Sequence, residues 1–153
     1  MKNIKGFTLI ELIVVLGLSG IVISVIMSFF IANYKSYQTI NTESEVQYQS
    51  QYIINYITNV ILEANKYDSS SDRFVFVNDE TAKFEVVGNR IKHTSYNSDG
   101  VVKSANEIGN HVASMEFSGS TNEVTITLKL SRGNAGDTYS AEQVVYLRNS
   151  ANN

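Results

Sequence analysis

Apolar and polar positions fall into two regimes along this chain. A short polar stretch, Met1–Gly6, carries Lys2 and Lys5 and leads into an apolar run that is free of charge from Leu12 to Ala32. About 20 apolar residues are enough to cross a bilayer as one helix. Lys2 and Lys5 would stay cytoplasmic by the positive-inside rule, which places everything after Ala32 on the far side. From Asn33 to about Lys66 there is no Gly or Pro, and Ile53, Ile57, Val60, Ile61 and Ala64 recur at the three- and four-residue spacing of one buried helical face. The pattern predicts one helix from about Phe7 to about Lys66. At about 1.5 Å of rise per residue it would be roughly 90 Å long, so its first half would protrude from any compact domain built on its second half. The polar stretch Gln38–Gln51 is where such a helix is expected to fray or break.

After Asp68–Asp72, a Ser-rich acidic linker, the period changes from helical to two. Strands are expected at Arg73–Val77, Lys83–Val87, Arg90–Tyr96, Val112–Phe117, Glu123–Leu130 and Gln143–Arg148. The fifth is the clearest, because Val124, Ile126, Leu128 and Leu130 alternate with Thr125, Thr127 and Lys129, giving one apolar and one wet face. Gly88-Asn89 and Asn97-Ser98-Asp99-Gly100 have the residues that tight hairpins need. The apolar face of such a sheet needs a cover, and the helical face Ile53–Ala64 supplies one. The expected fold class is therefore α+β, a long N-terminal α-helix whose second half packs on an antiparallel β-sheet head.

With 153 residues the chain has room for one globular domain and one long appended element. Its net charge is −3 and no basic block stands out, so charge gives no support for nucleic-acid binding. The absence of cysteine excludes disulfides, thiolate metal sites and cysteine nucleophiles together. The absence of proline removes the commonest cause of a helix kink. His93 and His111, the only histidines, belong to no nucleophile, zinc or phosphate motif. No cofactor site is legible, and the chain does not read as an enzyme.

The anomaly is Glu11. A carboxylate within a membrane segment costs about 3 kcal/mol even on lenient insertion scales, so it calls for a partner or a function. No Lys, Arg or His follows it until Lys35, and no side chain of this helix can neutralise it inside the bilayer. A free α-amino group created by a cut before Phe7 would be a cation and would pair strongly with a carboxylate in a low-dielectric setting. Pairing at i and i+4 within one helix would be weak. Pairing between neighbouring subunits is the sharper reading.

Gly6-Phe7-Thr8-Leu9-Ile10-Glu11, running directly into the apolar helix, resembles the processing site of type IV prepilins and of type II secretion pseudopilins. The resemblance implies that a membrane-embedded prepilin peptidase cuts after Gly6 and that the new terminal Phe7 is N-methylated. It implies that Glu11 assists methylation and engages the terminal amine of an adjacent subunit. Residues 1–6 would be the leader, 7–32 the transmembrane and filament-core half of the helix, 33–66 its amphipathic half, and 67–153 the β-rich head. Implied partners are the prepilin peptidase and methyltransferase, other pilin subunits, and membrane lipid before assembly. The implied location is a bacterial cell membrane with the head outside the cytoplasm, then an extracellular filament.

Major pilins commonly carry a proline that falls near Ser28 here, and often a disulfide-bounded C-terminal loop; this chain has neither. Both departures favour a minor pilin or a pseudopilin. Val46–Lys66 and the ending Val144-Val145-Tyr146-Leu147-Arg148-Asn149 look like the larger minor pilins that prime assembly. The alternative is a pseudopilin of a type II secretion system or a competence pilus whose head binds a substrate, DNA or a surface.

An ordinary secretory signal would end at Phe30-Ile31-Ala32, where bulky Phe30 fits poorly. A plain anchor leaves Glu11 unexplained. Tyr34, Tyr37, Tyr48, Tyr52 and Tyr56 suit helix-surface or subunit contacts better than base stacking. Ser95–Gly100 partly resembles a calcium loop, but Asn106 stands at its twelfth position, and a hairpin suffices. His93 is expected at a partly exposed sheet position, and Asp68, Asp72, Asp79 and Glu80 as solvated loop charges.

Overall fold

The computed structural model describes residues 6–133 and 136–147. Among them are one helix, α1 (Leu9–Leu62), and eight strands: β1 (Lys66–Asp68), β2 (Arg73–Val75), β3 (Thr81–Val87), β4 (Arg90–Tyr96), β5 (Val102–Ile108), β6 (Val112–Gly119), β7 (Glu123–Ser131) and β8 (Thr138–Tyr146). The chain forms two compact units, Met1–Asn41 and Thr42–Asn153. In the first, every large apolar side chain described is between 49% and 83% exposed. Such a surface requires lipid or protein against it.

The second unit is α+β. Its strands form two antiparallel sheets, ordered β1-β2-β3-β4-β5 and β6-β7-β8, where one sheet was expected. Val46, Ser50, Ile53, Ile57 and Ile61 form the buried stripe of α1, continued by Ala64. The apolar members of this stripe share one core with Phe74, Phe84 and Ile91 of the first sheet and with Val124, Ile126, Leu128 and Leu130 of the second. Gly88 turns the β3–β4 hairpin with φ +64°, a conformation that glycine adopts without strain.

The helix departs from expectation at three places. It begins at Leu9 rather than Phe7. It also runs through Gln38–Gln51 without a break, because that stretch contains no Gly or Pro and is tied down. Val46 and Ser50 are buried, Arg132 Nη2 lies 3.3 Å from Glu43 Oε1, and His111 Nε2 lies 3.7 Å from Glu45 Oε1. It ends at Leu62, not Lys66. Glu63 and Ala64 close the last turn with tight bonds to the Val60 and Ile61 carbonyls, and the Asn65 amide then donates to the Val75 carbonyl at 2.7 Å. Sheet pairing therefore captures the chain before Lys66, which opens β1.

Strands β1 and β5 lie where none was expected. β2 stops at Val75, and β8 covers Thr138–Tyr146 rather than Gln143–Arg148; Arg148 is outside the described residues. The acidic linker is a built turn. Asp68 accepts hydrogen bonds from the Ser70 amide and the Ser70 and Ser71 hydroxyls, which lower its pKa to about 2. Asp72 accepts from the Tyr67 hydroxyl at 2.7 Å, and Glu80 pairs with Lys103. These acids, expected to be merely solvated, hold turns together.

His93 is partly exposed, as expected, but its ring makes specific contacts. Its register partner Phe84 turns it to the core side of β4, where it stacks on Phe84 at 4.7 Å and its Nδ1 lies 2.9 Å from the Tyr56 hydroxyl. Its Nε2 is buried with no partner, and burial holds the imidazole pKa below its ordinary value. The unfolded chain therefore binds a proton here near pH 6.5 while the folded head resists it. The contribution to stability is complete above that pH and is lost as pH falls through the folded pKa. Thermal unfolding of the chain in detergent, followed by near-ultraviolet circular dichroism, is expected to show a falling midpoint from pH 7 to pH 5. His93→Gln should flatten this segment of the profile, leaving the part due to carboxylates.

Candidate functional site

The segment Gly6–Glu11 builds a helix N-terminus. Four backbone N–H groups at the start of any helix lack intrahelical acceptors. Here Thr8 acts as the cap: its carbonyl accepts from the Leu12 amide at 3.2 Å, and its hydroxyl oxygen accepts from the Glu11 amide at 3.3 Å. Glu11 Oε2 reaches back to accept from the Thr8 amide and from the Thr8 hydroxyl, each at 3.3 Å. This reciprocal arrangement is a capping box, and its carboxylate also sits favourably at the positive end of the helix dipole. The pattern Thr-x-x-Glu before an apolar run was the available signal for it, and Thr8 was missed as a site residue.

Gly6 and Phe7 precede the helix and are exposed, Phe7 at 83%. Their backbone is non-helical, so the peptide between them is not locked in a helical ladder. Lys2 and Lys5 lie outside the described residues. In the uncut chain Phe7 N is an amide, and the hydrogen bonds that Glu11 accepts come from Thr8. The structure thus gives Glu11 a local partner that the charge argument did not anticipate. It does not neutralise the carboxylate, since Thr8 offers only neutral donors.

Behind the cap, α1 is long and apolar enough to cross a membrane, with a stretch of mean hydropathy 2.7. Ser28, in the later part of the apolar run, donates its hydroxyl to the Ser24 carbonyl at 2.9 Å. That bond satisfies a polar group within the apolar run and leaves the helix continuous.

Among its described residues the head offers no comparable constellation. Among the described residues no three His, Cys, Asp or Glu side chains converge to hold a metal ion. The outer face of the first sheet interleaves its charges, pairing Lys83 with Glu85 at 2.7 Å and Arg90 with Glu107 at 3.4 Å, while Lys92 has Glu85 and Glu107 as register partners. Arg73 covers the ring of Tyr96. In the Asn97–Gly100 turn the Asn97 carboxamide oxygen accepts from the Val101 amide at 2.7 Å, so this oxygen serves the hairpin. Tyr34, Tyr37, Tyr48 and Tyr52 are exposed, whereas Tyr56 packs against the core.

A family model described as the prokaryotic N-terminal methylation motif matches residues 1–27. No curated protein and no solved structure matches the chain. The motif implies processing by a prepilin peptidase and assembly with other pilins. With its N-terminal methylation motif joined to a long apolar helix and an α+β head, the chain fits a membrane-anchored, type IV pilin-like prepilin.

Proposed function

We propose that this chain is a minor pilin, a structural and non-enzymatic subunit that enters or primes a type IV pilus-like filament after its leader is cut between Gly6 and Phe7. The observation that carries this reading is the capping box at the mouth of an exposed apolar helix, which holds a carboxylate one turn from the bond to be cut. Cleavage would turn the Phe7 amide into an amine, and N-methylation would keep it basic. A cation would then stand next to the cap residue, with Glu11 already drawn toward the helix start. Between neighbouring subunits this pair would set the register.

The proposed division is a leader over 1–6, a membrane and filament-core half over 7–32, an amphipathic half over 33–66 and a head over 67–153. Lys2 and Lys5 would hold the leader in the cytoplasm, leaving the head outside. Extraction from lipid into a filament is feasible because the apolar half exchanges one apolar environment for another.

Mass spectrometry of the chain recovered from sheared filaments tests the processing step. The expected N-terminal peptide begins at Phe7 and is one methyl group heavier than its sequence. An intact Met1 terminus, or a terminus at Asn33, would overturn the reading.

A further inference from the structure

The two sheets present four edge strands, and three of them carry devices that block further pairing. Strand β1 has only three residues. Strand β5 has a register shift opposite Ser95/Tyr96 and carries Lys103 and Glu107. Strand β6 is shifted between Val112 and Ser114 and lies against β3. Short length, bulges and charge are the usual protections of an edge.

Strand β8 is neither short nor bulged, and a single charge is its one protection. It pairs with β7 in unbroken register over nine residues, Thr138 to Tyr146, contains no proline and no cation, and carries one charge, Glu142, at its middle. The Leu147 amide donates to the Asn122 carbonyl, which fixes the alternation: the backbone groups of Tyr139, Ala141, Gln143 and Val145 face β7, and those of Ser140, Glu142, Val144 and Tyr146 face outward. All four outward residues are exposed. Among the described residues no strand pairs with this side. One outward carbonyl, that of Val144, accepts from the exposed Gln143 carboxamide at 2.8 Å, a plug that a rotamer change removes.

We propose that β8 is a docking edge for an extended segment of a partner protein, which adds as a fourth strand to the β6-β7-β8 sheet and carries a Lys or Arg opposite Glu142. Main-chain bonds to Ser140, Glu142, Val144 and Tyr146 supply affinity, and the central carboxylate supplies selectivity. A second copy is a poor occupant. Symmetric pairing of two β8 strands about their midpoint sets Glu142 against Glu142, and the other edges of a second copy are blocked. The inference is independent of leader cleavage and of filament entry.

The test uses the full chain in detergent micelles and two fluorescent synthetic strands of alternating Thr and Val, about seven residues long, with either Lys or Glu at the centre. The Lys-centred strand is expected to bind and to slow amide exchange at Ser140, Glu142, Val144 and Tyr146, and the Glu-centred strand to bind at least about fivefold more weakly. Glu142→Lys should invert the preference. Val144→Pro should abolish binding while leaving the near-ultraviolet circular dichroism of the head intact, because the amide it removes points away from β7. Unaltered exchange at β8 would overturn the proposal, as would equal binding by Val144→Pro. So would self-association that protects the same four amides without any added strand, since the occupant would then be a second copy. Should Val144→Pro disturb the head, inversion by Glu142→Lys decides the matter alone.

Discussion

Glu11→Ala is expected to leave the chain in the membrane and to reduce its recovery in sheared filaments at least about tenfold. Tenfold corresponds to about 1.4 kcal/mol, a modest share of the roughly 4 kcal/mol that two unit charges about 4 Å apart exchange at a protein-like dielectric. Insertion should not suffer, because removing an unpaired carboxylate from the bilayer relieves a cost of about 3 kcal/mol. Alanine, however, removes two things at once: the charge, and the capping interaction with Thr8, which contributes on the order of 1 kcal/mol to the helix start. Glu11→Gln separates them. Glutamine also serves in a capping box but carries no charge. If Glu11 pairs with the amine of a neighbouring subunit, the glutamine variant should fail as badly as alanine. If its task is to begin the helix, glutamine should restore incorporation. Membrane and filament fractions compared by immunoblot, with leader removal followed on the same samples, give the readout. Full incorporation of the alanine variant would sink the assembly role.

What could be read in advance follows from how local each determinant is. The segment Gly6–Glu11 is contiguous, so the N-terminal methylation motif was legible, whereas the Thr8 cap within the same six residues was not read. The helical face Ile53–Ala64 and strand β7 were legible because burial imposes its period directly on the sequence. Strand β5 was not, since six of its seven residues are exposed and only hydrogen bonds to β4 define it. Most of β8 escaped for the same reason: an edge strand with few buried residues leaves no alternation to detect. The helix terminus was misplaced because a long-range bond from Asn65 to Val75, not a glycine, ends it. The partly exposed position of His93 was legible, but its contacts were not, since Tyr56 and Phe84 are remote in sequence. Gly109 is of the same kind. With φ +67° it lies so close to Ile53 that a Cβ there would overlap that side chain, a constraint visible only once β5 and α1 are brought together.

Truncating Phe74 to alanine should be the most damaging change in the head. Its ring is fully buried and lies 5.0 Å from Tyr67, 5.2 Å from Phe117 and 6.0 Å from Phe84. Tyr67, Phe74 and Phe84 come from the first sheet and Phe117 from the second, so this cluster joins the two. Phe-to-Ala changes in cores cost about 3–5 kcal/mol. Against a typical domain stability of about 5–15 kcal/mol, that loss brings the head close to unfolding. Urea unfolding of the full chain in mild detergent, followed by tyrosine circular dichroism, should show the midpoint falling with little change in slope. Phe74→Leu fills most of the volume and should cost about 1–2 kcal/mol, largely the lost ring contacts. A loss below about 1 kcal/mol for alanine would mean that the two sheets are held together elsewhere. Because Phe74→Ala leaves residues 7–32 untouched, it also separates head from anchor in function. A chain with its cap and apolar helix intact but its head unfolded should still insert and still be cut before Phe7. If it also enters filaments at the normal level, the helix alone carries assembly; if it does not, the folded head is itself a packing surface of the fibre.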